Sequence, residues 1–258
     1  MPTYLYNTAT NEVVIRLGKI AKKFLVVSTE LARFLVDRGL DDFRVDVSPN
    51  GVSQSFFEAP PDQAIQSLKE DKGIEKIILY IGSLRGTDDR IDFLVKAIPS
   101  VLKEHPNTLF LIVGDQNTYI ARMAAYEANK LGVGRHMVFL GRVQHSRISR
   151  IIAASDLCIG LLWPNLISRF SCPLKIIEYM ACGKPIVSFP TSADVLEDEV
   201  NCLLLRNQSL TEIADKIQTL LSDKALSIRL GSNAKAKALD RFCWKKIVSN
   251  LRRQLAEN

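Results

Sequence analysis

Two patterns of apolar residues alternate along most of this chain. From Lys76 onward, short unbroken apolar runs at 77–81, 108–113, 137–140, 157–162, 186–189 and 202–205 are separated by longer stretches with helical spacing. Unbroken runs of that length, bounded by turn residues, are strands buried on both faces. The intervening periodicity predicts helices over 90–104, 119–131, 146–154, 210–221, 225–239 and 245–255. Strand and helix in regular alternation predict an α/β domain with a doubly wound parallel sheet.

Before Lys76 the pattern is shorter. Residues 11–23 space Val13, Leu17, Ile20 and Phe24 as one helical face after Thr10, and 24–28 reads as a strand. A helix over 30–38 is stopped by Gly39, and 43–47 is a second strand. Ser48, Pro49, Asn50, Gly51 and Val52 then form a strong turn signal and a natural hinge. This divides the chain into a partial N-terminal α/β domain at 1–50, a main Rossmann-like domain at 51–240 and a basic C-terminal helix at 241–258.

The densest chemical signal lies at 168–189, reading SRFSCPLKIIEYMACGKPIVSF. Pro173 and Gly183 bracket about three turns of helix, with Pro173 at the first helical position and Gly183 just past the end. Leu174, Ile177 and Ala181 follow i, i+3, i+7 and can face a core, while Lys175 and Glu178 share another face. A helix N-terminus beside a lysine suits a diphosphate, and a carboxylate one turn deeper can accept hydrogen bonds from sugar hydroxyls. An exposed ion pair between Lys175 and Glu178 is the other reading of the same spacing.

Ser171, Pro173, Lys175, Glu178, Tyr179, Met180, Ala181, Gly183, Lys184 and Pro185 together resemble the donor-site signature of the retaining GT-B glycosyltransferases. That group includes glycogen synthase and the mannosyltransferases of lipid and cell-wall assembly. The resemblance implies that Glu178 holds the ribose of a nucleotide sugar, that Lys175 helps neutralise its phosphates, and that Ser171, Pro173 and Leu174 line the donor. On the loop after the first main strand, which opens with Gly82 and Ser83, Gly82 and Gly86 allow close approach to a phosphate that Arg85 or Arg90 could reach; the family usually carries a basic residue there, and Arg90 fits the helix start better than Arg85. The resemblance also covers Arg142 and Val143, which resemble the segment whose backbone meets the nucleotide base. Lys175 and Arg90 are thereby the candidate catalytic pair. Gly114 and Asp115 resemble the family's Val-Gly-Asp turn. One departure is Phe170, which stands where the wider family often has a first glutamate. The family's complete N-terminal half needs more residues than precede the hinge here. A fragment of a longer enzyme and a donor subunit with a separate acceptor-domain polypeptide are both open.

Composition narrows these readings. The chain has 258 residues, 47% hydrophobic and 24% charged, an ordinary balance for a globular protein. No apolar run is long enough to span a bilayer and the N-terminus lacks a signal-peptide pattern, so a cytoplasmic protein is expected. Of the net charge of +6, the segment from Lys224 to the end carries +7. Such helices can contact anionic lipid, giving an expected peripheral membrane contact; no nucleic-acid motif accompanies the charge. The five cysteines show no metal-ligand spacing and read as reduced core thiols. His105, His136 and His145 read as surface residues without a partner carboxylate, and Trp163 and Phe170 as packing residues. With no Asp-x-Asp pair, no metal site is expected and no cofactor is required beyond the nucleotide-sugar substrate. The acceptor is unknown. An epimerase on the same fold would need facing acid and base carboxylates, which Phe170 argues against.

Overall fold

In the computed structural model, residues 12, 15–17, 19–86 and 90–256 are described. The helix expected over 11–23 falls partly outside them; its described residues between 12 and 20 are helical. Two parallel strands, β1 (Phe24–Val26) and β2 (Val45–Val47), flank α1 (Thr29–Val36) and form a small layer. Ser28 caps α1 by accepting from the Leu31 N–H, and Gly39 at φ +95° turns the chain out of it.

The main layer is a six-stranded, wholly parallel sheet in the order β5-β4-β3-β6-β7-β8. Its strands are β3 (Lys76–Ile81), β4 (Thr108–Val113), β5 (Met137–Gly141), β6 (Leu157–Gly160), β7 (Ile186–Ser188) and β8 (Leu203–Leu204). The helices are α2 (Gln63–Asp71), α3 (Ile91–Glu104), α4 (Tyr119–Lys130), α5 (His145–Ala154), α6 (Leu166–Phe170), α7 (Leu174–Ala181), α8 (Leu210–Ser222), α9 (Lys224–Arg241) and α10 (Trp244–Ala256). The doubly wound α/β expectation therefore holds. β8 is shorter than the run that predicts it, and α2, capped by Asp62, is a helix that the apolar pattern leaves unassigned.

Alternation along β3 divides the core between two faces. Ile78 and Tyr80 pack with α3, α4 and α8, while Ile77 and Leu79 pack with α5, α7 and α9. All four are fully buried, as a strand covered by helices on both sides requires. The chain runs outward from β3 through β4 to β5, then returns to β3's other side with β6. That reversal leaves a crevice outside the carboxyl ends of β3 and β6, the usual ligand position in such sheets.

Candidate functional site

The loops leaving β3 and β6 line this crevice, and backbone contacts hold them together. Gly82 N–H donates to Val113 O at 3.0 Å, and Arg90 N–H to Leu161 O at 3.1 Å. Gly114 approaches so closely that a Cβ there would lie 2.2 Å from the Gly82 carbonyl oxygen. The glycine thus shapes the turn on which the loop after β3 rests.

α7 descends from the same end of the sheet. Pro173 is its N-cap, at φ −69° and ψ 127°, one place earlier than its expected first helical position. The helix has eight residues, a little over two turns and shorter than expected, and Gly183 at φ +68° ends it. The Tyr179 hydroxyl accepts from the Ile81 N–H at 2.9 Å, tying α7 to the end of β3. Lys175 Nζ stands 5.2 Å from the centre of the Tyr80 ring, at the head of the helix. Leu174 is 52% exposed, which corrects its expected core position: it sits at the helix mouth, while Ile176 and Ile177 take the core.

Glu178 is only 7% exposed, so it is not half of a surface pair. Its Oε1 lies 2.8 Å from His145 Nε2, a histidine at the first position of α5. An ionised carboxylate only accepts, so with Glu178 ionised this bond requires the imidazole proton on Nε2. This corrects the reading of His145 as partnerless: its carboxylate is 33 residues away, beyond any local spacing pattern. Burial pushes the Glu178 carboxyl above its ordinary range, opposed by the hydrogen bond and charge of His145.

Arg90 is the residue before α3, which starts one place later than expected, and its guanidinium is held on three sides. Nε and Nη2 each reach Asp92 at 2.9 Å, and the group lies 4.1 Å from the Phe93 and Trp163 ring centres. Trp163 packs edge-on against Phe189, so Arg90 pins loops after β3, β6 and β7 together. Arg85 and Arg142 converge on Asp115, at 2.9 and 3.3 Å, linking the loops after β3, β4 and β5. Gly82 and Ser83 begin the β3 loop, Arg142 and Val143 follow β5, and the Ser171 hydroxyl donates to Ser168 O at 2.8 Å just before α7. Phe170 packs its ring 4.8 Å from that of Phe34 in the small layer. Among the described residues no group of His, Cys, Asp and Glu is arranged to hold a metal ion, and none of the helices is long and apolar enough to cross a membrane.

Strand order and crevice together define a Rossmann-like α/β domain with loops at the carboxyl ends of β3, β4, β5, β6 and β7. The chain belongs to the glycosyl transferases group 1: that family's pattern matches residues 75–223, more than half of the sequence. An uncharacterized glycosyltransferase of Methanocaldococcus jannaschii is 25% identical over 97% of this chain and 62% of its own length. Spore coat protein SA of Bacillus subtilis is 24% identical over 73% of this chain and 51% of its own length. The chain thus spans about half to three-fifths of these curated relatives. The GT-B fold is shared with Anabaena HepE, solved in complex with UDP and glucose, at a TM-score of 0.79 and 21% identity, covering 100% of this chain and 69% of that one.

Proposed function

We propose that the chain is the donor-side half of a retaining GT-B hexosyltransferase, which binds a nucleotide sugar in the crevice and passes the sugar to an acceptor. The observation that carries this is the buried Glu178 carboxylate, one turn into α7 and below the head of the helix where Lys175 stands. HepE in complex with UDP and UDP-glucose supplies the fold-level parallel. Glu178 accepts from the ribose hydroxyls; the α7 N-terminus and Lys175 draw charge onto the departing diphosphate. Ser171, Pro173 and Leu174 border the phosphates, and Gly82 and Ser83 let the β3 loop approach closely. The Arg142–Val143 backbone faces the base. Asp92 occupies two of the five N–H donors of Arg90, which leaves the others for a phosphate. Charge neutralisation by these groups needs no divalent cation.

A second reading is a donor-binding subunit that works with an acceptor-binding partner. Either form works in the cytoplasm, with the basic α9 and α10 available to an anionic membrane face, where Trp244 and Val248 are exposed. Glu178→Gln tests the site. The shape and helix propensity stay, a charge-assisted hydrogen bond is lost, and affinity for UDP measured by calorimetry falls about ten- to a hundredfold. Equal affinities in two folded proteins would remove the donor reading.

A further inference from the structure

We propose that His145 is a positioning residue, which holds the Glu178 carboxylate in the orientation that accepts both hydroxyls of a nucleotide ribose. The inference rests on the donor reading above. Its origin is a contact across two elements: His145 opens α5, Glu178 lies in α7, and their Nε2 and Oε1 atoms are 2.8 Å apart. A glutamate side chain has several rotatable bonds, and burial alone does not choose among them. Fixing Oε1 with an N–H donor selects one rotamer and leaves Oε2 as the acceptor for a ligand.

The surroundings place one ring against the imidazole and fix the helices that carry His145 and Glu178. Phe56, in the segment leading to α2, packs its ring 5.5 Å from that of His145. Asp62, almost fully buried, takes Arg147 Nε and Nη2 at 2.8 and 3.1 Å, and its N–H donates to Arg150 O. These bonds fix the first turns of α5 against α2. Cys182, just past α7, directs its thiol at Ser149 O and Phe56 O, fixing α7 against the same elements. The His145 side chain is nevertheless 73% exposed. So exposed a ring adds little to the core, and its consequence falls on the carboxylate it touches. The segment between hinge and first main strand therefore reaches the site through Phe56 and His145.

Calorimetry with UDP, GDP and ADP and their 2′-deoxy counterparts, on the native chain, His145→Ala, His145→Gln and Glu178→Gln, tests this. In the native chain the ribonucleotide that binds is preferred over its deoxy form, and Glu178→Gln loses most of that preference. His145→Ala is expected to lower ribonucleotide affinity about tenfold and bring the ribose-to-deoxyribose ratio towards one. His145→Gln, which keeps an N–H donor, recovers most of the preference. If Glu178→Gln loses the preference while His145→Ala keeps it, the positioning role is overturned and the donor reading stands. If no nucleotide binds, or the native chain shows no ribose preference, the donor reading itself fails and takes this inference with it.

Discussion

Two carboxylates, Glu178 and Asp62, are both buried, with opposite electrostatic consequences. Asp62 is met by a bidentate arginine and by the Ile65 N–H, so its carboxyl is held below the ordinary range, chiefly by the Arg147 bond. It stabilises the fold at neutral pH, and that contribution is lost only as pH falls through its depressed value. Glu178 has one imidazole against a larger desolvation, and its carboxyl is raised from 4.5. A carboxyl raised on folding favours the native state below its unfolded value, and that gain is lost as pH rises through the folded one. Relative to Glu178→Gln, the native chain should therefore lose melting temperature as pH climbs from 4.5 through the raised value, then run parallel to the variant. Parallel melting curves across the whole range would mean that the carboxylate is not desolvated. Both lysine and glutamate of the helix were legible as candidates from spacing and family resemblance. Their relation was not, because a pattern along one helix cannot show that the glutamate turns inward to a histidine on another element. No local signal marks His145 except its place just before a predicted helix start.

The strands and helices of the main sheet were the most legible part of the chain, since burial on both faces writes itself as uninterrupted apolar runs. Helix α2 was obscured because its single deeply buried residue, Ile65, leaves little periodicity, while the information that fixes it sits in the Asp62 cap and the Arg147 contact. The end of α7 at Gly183 was readable, but Pro173 became the cap because its extended ψ belongs to the incoming loop. Gly114 shows what the strand-turn-helix pattern hides: close backbone approach between neighbouring loops. Its missing side chain admits the Gly82 carbonyl, and a methyl would meet that rigid backbone atom at 2.2 Å. Gly114→Ala should cost about 2 kcal/mol and displace the β3 loop, as overpacking against backbone does. Chemical denaturation measures the first effect and nucleotide affinity the second. An unchanged midpoint with unchanged affinity would show that the two loops part without cost.

Across the molecule, the small layer and the main sheet meet along one continuous seam. Ser28 Oγ donates to Phe170 O, Thr29 N–H and Oγ1 both donate to Asp194, and Glu30 accepts from Ser192 and the Ala193 N–H. Phe34 packs on Phe170, so the departure from the family's glutamate becomes a hydrophobic contact with α1. Within the hinge Asn50 donates to Cys172 O, and Val52 pairs with Cys243 ahead of α10. A parallel pair of short strands is marginal by itself in water, and here its order comes from that seam. The sequence pattern could indicate the hinge but not these partners, which lie more than a hundred residues apart for the α1 bonds. Asp194→Ala removes the shared acceptor of Thr29 and leaves its backbone N–H without that bond. The expected outcome is local: hydrogen exchange over 24–47 speeds up about tenfold, while β3, β4 and β6 keep their protection. The Asp194 loop follows β7 and borders the crevice side of the sheet, so nucleotide affinity measured alongside reports whether the seam also shapes the site. Faster exchange throughout the main sheet would show that the two layers unfold as one unit; no change over 24–47 would show that the Phe34–Phe170 contact and the Ser28 and Glu30 bonds hold α1 in place without Asp194.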